Sequence, residues 1–110
     1  MISLLDKAIE AHLLYDCYSP MLTERQRETF ELHYFEDFSL AEIADHLAVS
    51  RQAVHDILHR TMQQLFDYEQ KLHVLSSMQK RKATAQTLAA RLRTLGIVDE
   101  QVFLLVQELM

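Results

Sequence analysis

Five polar side chains within residues 50–59 have the types and the order that base recognition in a DNA groove requires. Arg51 and Gln52 can form paired hydrogen bonds with guanine and adenine, and the Ser50 hydroxyl can donate to a phosphate. Asp56 lies among them and repels phosphates unless it accepts a hydrogen bond from a cytosine amine. We therefore predict duplex DNA contacts from this segment and from three further arginines: Ser50, Arg51, Gln52, His55, His59, Arg25, Arg27 and Arg60.

These side chains need a rigid support, and residues 38–60 have the features of a helix-turn-helix. Ser39 and Glu42 are spaced as a capping box at the start of one short helix, and Ser50 is a candidate N-cap for the next. The chain must therefore turn between Leu47 and Ser50. An ordinary αα-hairpin shares the caps and stays the alternative, although it seldom has the whole apolar pattern. That pattern consists of Ile43, Ala44, Leu47, Val49, Val54 and Ile57.

Other chemistry has little support in the sequence. His55 and His59 are spaced i, i+4 and could share a metal ion, but no third ligand has a recognisable spacing beside them. The single cysteine, Cys17, has no motif around it and is interpreted as a small buried hydrophobe in a reducing compartment. We predict no catalytic residue, no metal site and no cofactor, because phosphate-binding glycine loops and nucleophile motifs are also missing from the sequence.

Composition predicts an all-α protein with one domain over residues 1–110. The chain has one glycine and one proline, which leaves little room for β-hairpins. Hydrophobic residues make up 49% of it, yet no run approaches the roughly 18 apolar residues of a membrane span. The N-terminus lacks the basic region of a signal peptide and has Asp6 and Glu10 where such a peptide is apolar. We expect a cytoplasmic protein with no membrane partner.

Charge is divided unevenly along the chain, whose net charge is −5. Residues 1–48 carry ten acidic and three basic side chains, a net charge of −7. Residues 49–98 carry three acidic and eight basic ones, a net charge of +5, and residues 99–110 add −3. A basic region can still attract a polyanion, because steering depends on the local field. The alternative is that both regions are merely solvated helix faces.

Apolar spacing predicts the helices that flank the helix-turn-helix. Leu5, Ile9 and Leu13, with Ile2 and Ala8, indicate an amphipathic helix over residues 2 to about 16 that packs in the core. Thr23 begins a second helix with a capping box. The second helix of the helix-turn-helix has no stop signal at Arg60, so one helix is expected from Ser50 to about Gln79. Its seven-residue repeat predicts self-association through Leu58, Leu65, Phe66, Leu72 and Leu75.

The C-terminal third is predicted to contain two more helices. Ala85, Leu88, Ala89, Leu92 and Leu95 form a helical stripe that ends at Gly96, and Asp99 caps a last helix. We expect residues 20–62 to be the helix-turn-helix core and residues 63–110 to be an extension for oligomerisation. Five basic residues in this extension are candidate contacts for RNA or for another partner: Lys80, Arg81, Lys82, Arg91 and Arg93.

Two resemblances follow from these motifs. Residues 22–28, 38–44 and 49–51 resemble region 4 of bacterial sigma-70 factors, which recognises the −35 promoter element. Nearly the whole chain, including Leu4-Leu5-Asp6 and Tyr15-Asp16, is similar to the small YlxM-type proteins whose genes lie beside those of the signal recognition particle. The second resemblance implies a helical DNA-binding or regulatory protein without enzyme activity. Its link to the signal recognition particle pathway is chiefly gene neighbourhood.

The chain departs from sigma factors at two places. Ala53, His55 and Asp56 occupy positions where sigma recognition helices typically carry arginines and a glutamine or lysine, which weakens direct base readout. Ala48 stands where many helix-turn-helix units have a left-handed glycine. A left-handed Ala48 would cost on the order of 1 kcal/mol.

Two functions of different classes remain open. One is a regulator that binds DNA as a homodimer or higher homo-oligomer. The other is an adaptor that does not bind DNA and contacts signal recognition particle protein or RNA through its basic C-terminal region. The acidic N-terminal half favours the adaptor, whereas the helix caps with Arg51 and Gln52 favour the regulator.

Overall fold

A computed structural model describes residues 4–110 of the protein, which form six α-helices, one 3-10 turn at Ser19–Met21 and no β-strand. The predicted all-α fold is confirmed. The chain divides into an N-terminal unit that ends at Leu72 and a C-terminal unit, His73–Met110. The assignment of residues 1–110 to one domain stays a prediction. The helices are α1 (Leu4–Tyr18), α2 (Glu24–Tyr34), α3 (Leu40–Leu47), α4 (Arg51–Leu72), α5 (Val74–Thr94) and α6 (Glu100–Glu108).

Side-chain caps begin four of the helices where the sequence predicts them. The side chains of Thr23 and Ser39 each accept a hydrogen bond from the third backbone N–H of their helix. The side chains of Gln26 and Glu42 in turn accept from the backbone N–H of the cap residue, which completes two capping boxes. The Ser50 hydroxyl accepts from the backbone N–H of Ala53 at 3.0 Å. Asp99 accepts from the backbone N–H of Gln101 at 2.9 Å at the start of α6. Local sequence therefore fixes these helix starts.

Helix α1 buries a different face from the predicted one. Ile9 and Leu13 were expected in the core, but 50% of Ile9 and 36% of Leu13 are exposed. The side chain of Leu5 and all of Ile2 lie outside the described residues. The buried face instead consists of Ala11, Leu14, Tyr15 and Tyr18. The helical prediction was right and the predicted face was wrong, because two large tyrosines outcompete the aliphatic stripe for contact with other aromatic rings.

The core of the N-terminal unit is built around α4, which packs against α1, α2 and α3. Leu65 of α4 is fully buried, and Tyr15 stacks on Phe30 with ring centroids 4.4 Å apart. Two side-chain hydrogen bonds also join α4 to its neighbours. Gln26 Nε2 donates to Gln64 Oε1, and Tyr18 Oη donates to Glu69 Oε1, each at 2.6 Å. Directional bonds of this kind fix the orientation of packed helices.

Helix α4 ends earlier than predicted. The expected continuous helix from Ser50 to about Gln79 is wrong, because α4 stops at Leu72 and His73 has a left-handed backbone with φ of 54°. Histidine tolerates this conformation better than most residues do. The His73 carbonyl then accepts from the backbone N–H of Ser77, which begins α5. The basic stretch Lys80 to Lys82 consequently lies inside α5 rather than between two helices.

The C-terminal unit contains α5 and α6, which pack against each other. Gly96, with φ of 81°, ends α5 in a Schellman motif in which the Ile97 N–H donates to the Leu92 carbonyl at 2.9 Å. The predicted stop at Gly96 is confirmed. Of the predicted apolar stripe of α5, Ala85 is buried and Leu88 is exposed. Several large apolar side chains of this unit are exposed: Val74, Met78, Leu88, Leu95, Ile97, Val98, Leu104, Leu105, Leu109 and Met110.

Candidate nucleic-acid interface

The turn between α3 and α4 has the geometry of a helix-turn-helix. Ala48 is left-handed, with φ of 56° and ψ of 44°, and the Val49 N–H donates to the Ala44 carbonyl at 3.0 Å. The backbone then reaches the N-cap Ser50 and enters α4. A cluster of buried side chains holds α3 and α4 together. Leu58 belongs to this cluster, although it was not predicted to, whereas the predicted member Ile57 is half-buried. The buried members are Ile43, Ala44, Val54 and Leu58.

The first three turns of α4 present the predicted base-contacting side chains to solvent. Arg51, Gln52, His55 and His59 are all exposed. Ser50 accepts a hydrogen bond as the cap, but its own O–H is still able to donate. The rings of His55 and His59 are parallel, with centroids 6.2 Å apart. The structure therefore brings together the five residues that the sequence singled out in this segment.

Asp56 contacts two of the side chains on this exposed face of α4, Gln52 and His55. Its Oδ1 accepts from Gln52 Nε2 at 2.9 Å and lies 3.4 Å from His55 Nδ1. From the sequence, Asp56 was expected to repel phosphates or to accept a hydrogen bond from a cytosine amine, and these contacts were not predicted. The signal was available, because glutamine and aspartate at i, i+4 on a helix are close enough to form a hydrogen bond.

The three arginines predicted near phosphates lie in different surroundings. Arg25 and Arg60 are exposed. Arg27 is half-buried, and its Nη1 donates to the carbonyl oxygens of Leu22 at 2.7 Å and Ser19 at 3.2 Å. Arg27 thus stabilises the turn before α2. Its phosphate contact, like those of Arg25 and Arg60, stays a prediction.

The basic residues of the C-terminal unit lie on a helix without acidic side chains. All five are exposed: Lys80, Arg81, Lys82, Arg91 and Arg93. The Arg93 guanidinium carbon lies 5.0 Å from the centre of the Phe103 ring, which is a cation-π distance. This unit therefore presents four further cations for which the structure gives no ring or carboxylate contact among residues 4–110: Lys80, Arg81, Lys82 and Arg91.

The residues predicted to mediate self-association fall into two classes. Leu58 and Leu65 are buried in the N-terminal unit, and Leu75 is buried in the C-terminal unit. Phe66 and Leu72 are 45% and 52% exposed. Only the last two are free to contact a second chain without unfolding their own unit. Self-association stays a prediction, and it must use these exposed side chains rather than the full seven-residue repeat.

Four groups in the described part of the N-terminal unit have shifted pKa values, and burial raises the pKa of one of them, Tyr34. Hydrogen bonding with Ser39, chiefly from its backbone N–H, lowers the pKa of Glu42 below its usual value. Burial, with the nearby Glu31 carboxylate, raises the pKa of Tyr15 to about 12. Burial and the charge of Glu69 raise the pKa of the Cys17 thiol. A raised thiol pKa disfavours the reactive thiolate, and the Cys17 side chain is half-buried rather than fully buried as the sequence predicted.

Residues 4–110 lack the features of two other kinds of protein, metal-binding and membrane-spanning. No cluster of three or more histidine, cysteine, aspartate or glutamate side chains in this range has the geometry to bind a metal ion. No helix in the same range combines the length and the apolar character needed to cross a membrane.

Comparison with known proteins identifies relatives of the whole chain. Residues 5–103 match the family model described as "Putative helix-turn-helix protein, YlxM / p13 like". A UPF0122 protein of Halalkalibacterium halodurans is 46% identical over 85 residues, which cover 77% of this chain and 78% of that protein. UPF0122 proteins of Geobacillus sp. (strain WCH70) and Anoxybacillus flavithermus are 40% and 41% identical over 106 residues, or 96% of each chain. The predicted resemblance to YlxM-type proteins is confirmed.

Proposed function

Because the chain belongs to the YlxM/p13-like helix-turn-helix family, we propose that it is a regulatory protein that binds duplex DNA with the N-terminal turns of α4 in the major groove. One observation carries the proposal. The capped start of α4 presents Arg51, Gln52, His55 and His59 together on an exposed surface directly after the left-handed turn. Recognition helices enter the major groove at this end.

Five of the side chains have distinct roles in this proposal. Arg51 donates two hydrogen bonds to a guanine edge, and Gln52 contacts adenine. Ser50, Arg25 and Arg60 contact phosphates, which set the position of the protein on the duplex without reading sequence. Binding should therefore weaken as salt rises, because phosphate contacts release condensed counterions.

Two base contacts per chain are too few for a specific site. Each good bidentate contact contributes about 1–3 kcal/mol of discrimination, whereas specific binding is about 4–10 kcal/mol tighter than non-specific binding. Two copies of the recognition helix would bring the discrimination into that range. We therefore propose that the protein acts as a homodimer or higher homo-oligomer. Exposed Phe66 and Leu72 are the candidate contacts on α4.

The decisive experiment compares Arg51→Ala with Arg81→Ala. Both substitutions remove one exposed arginine, but only Arg51 lies on the recognition face. Binding to a selected duplex and to random duplexes is measured by fluorescence anisotropy over a range of salt concentrations. Arg51→Ala should cost about 1–3 kcal/mol on the selected duplex and much less on random ones. The proposal fails if no duplex binds better than random DNA at physiological salt, or if Arg51→Ala has no effect.

A second function is supported by the charge of α5. This helix has five basic and no acidic residues, whereas α2 and the turn after it carry five exposed acidic residues beside Arg25 and Arg27: Glu24, Glu28, Glu31, Glu36 and Asp37. An adaptor would use Lys80, Arg81, Lys82, Arg91 and Arg93 to contact signal recognition particle RNA or protein. In that case Arg81→Ala should weaken binding to the particle RNA, and the affinity of the protein for duplex DNA should not depend on the duplex sequence.

A further inference from the structure

We propose that Asp56 is a positioning residue that orients the side-chain amide of Gln52 toward an adenine edge. The inference rests on the proposed duplex-binding function, in which Gln52 contacts adenine, and adds to it the residue that orients the Gln52 amide. It is carried by the hydrogen bond from Gln52 Nε2 to Asp56 Oδ1, which is 2.9 Å long and lies on the exposed face of α4.

The carboxylate determines which end of the amide faces it. An ionised aspartate only accepts hydrogen bonds, so the nitrogen of Gln52, and not its oxygen, must point toward Asp56. The amide nitrogen carries two hydrogens. The bond to Asp56 uses one of them, and the other N–H and the Oε1 carbonyl remain for a base.

One donor beside one acceptor matches adenine and not guanine. In the major groove adenine presents the N7 acceptor and the N6 amine donor, whereas guanine presents two acceptors, N7 and O6. Without Asp56 the amide of Gln52 can rotate and lose this arrangement. Asp56 therefore makes Gln52 select an A·T pair over a G·C pair at one position of the site.

Although Asp56 increases base selectivity in this proposal, its negative charge lowers the overall affinity for DNA. Its side chain is 56% exposed, so its carboxylate repels the DNA phosphates. His55 Nδ1 lies 3.4 Å from the same Oδ1. Removal of Asp56 should thus tighten binding to random DNA while it abolishes the base preference. A residue that only stabilised the helix would not produce these two opposite changes.

The experiment uses the full chain and a duplex selected from a random library. Affinities are measured by anisotropy for that duplex and for versions in which each A·T pair is replaced by G·C. The variants are Gln52→Ala, Asp56→Ala, the double substitution and Asp56→Glu, which keeps an acceptor. Asp67→Ala is the matched control, since Asp67 is an exposed acidic residue about three turns further along α4. Thermal unfolding checks that every variant is folded.

Wild type and Asp67→Ala should prefer A·T over G·C at one pair by roughly 5- to 150-fold. Gln52→Ala, Asp56→Ala and the double variant should lose that preference to the same extent, and Asp56→Glu should retain part of it. Asp56→Ala should also bind random duplex more tightly than wild type. A preference that survives either single substitution to alanine overturns the positioning role but leaves the duplex-binding function intact. If wild type selects no duplex at physiological salt, both the function and the inference are wrong.

Discussion

Ala48→Gly should stabilise the N-terminal unit, because residue 48 has the left-handed conformation that glycine adopts without steric cost. An alanine at φ of 56° places Cβ against the following carbonyl, at a cost of about 1–2 kcal/mol. Glycine removes that cost but adds freedom to the unfolded chain worth about 0.4–1 kcal/mol. Ala48 is exposed, so no core packing is lost. The expected net gain is about 0.5–1 kcal/mol in the free energy of unfolding.

The measurement is urea unfolding followed by far-UV circular dichroism. The midpoint should rise while the slope m stays constant, since the surface exposed on unfolding does not change. Thermal unfolding should shift upward by about 2–8 °C for a unit of this size. Ala41→Gly is the matched control, because Ala41 is exposed in the right-handed α3. Ala41→Gly should lower the free energy of unfolding by up to about 1 kcal/mol.

The reciprocal change, Gly96→Ala, tests the same reasoning with the opposite sign. Gly96 has φ of 81°, and a Cβ added there would meet no atom within 4 Å, so any loss of stability is purely conformational. It should amount to about 1 kcal/mol in the C-terminal unit. The account of left-handed positions is refuted if Ala48→Gly is neutral or destabilising while Ala41→Gly behaves as expected.

Three further perturbations have expected outcomes. Leu65→Ala should lower the free energy of unfolding by about 2–5 kcal/mol because Leu65 is fully buried, whereas Phe66→Ala should change it far less; chemical denaturation of both variants checks this. The pKa of Tyr15 is raised to about 12, so this residue stabilises the fold fully below its ordinary pKa near 10 and progressively less as the pH rises toward 12. Tyr15→Phe should therefore reduce the loss of stability between pH 10 and pH 12, measured by unfolding in a pH series. Leu72→Asp should shift any oligomer toward monomer in sedimentation experiments without unfolding the chain, and a wild type that stays monomeric at high micromolar concentration contradicts this.

The sequence predicts helix starts well because a cap is a local device. Thr23, Ser39, Ser50 and Asp99 each cap the helix that their neighbours in sequence indicate. The left-handed break at His73 was missed, because histidine marks such a position only weakly and lies within a continuous apolar repeat. The buried face of α1 was missed for a different reason. It depends on which aromatic rings of α2 and α4 are available, and this is a tertiary property.

The candidate site was predicted as a set of residue types but not as an arrangement. Spacing placed Arg51 and Gln52 on the exposed start of α4, and their exposure follows from the helical period. The role of Arg27 was not predictable, because its contacts with the carbonyls of Ser19 and Leu22 depend on the 3-10 turn between α1 and α2. The contact between Gln52 and Asp56 could have been predicted from i, i+4 spacing alone.

The two hydrogen bonds that join α4 to its neighbours, together with its buried side chains, restrain the rotation of α4 about its own axis. Rotation of α4 by one residue position is about 100° around its axis, which would break both the Gln26–Gln64 and the Tyr18–Glu69 bonds. Gln64 lies roughly 20 Å along the helix from Arg51. In the proposed complex with DNA, the azimuth at which Arg51 meets a base pair therefore depends in part on amide and phenol groups remote from the duplex. If α4 binds DNA as proposed, substitutions at Gln26 or Tyr18 would redirect base recognition without altering any residue that touches a base.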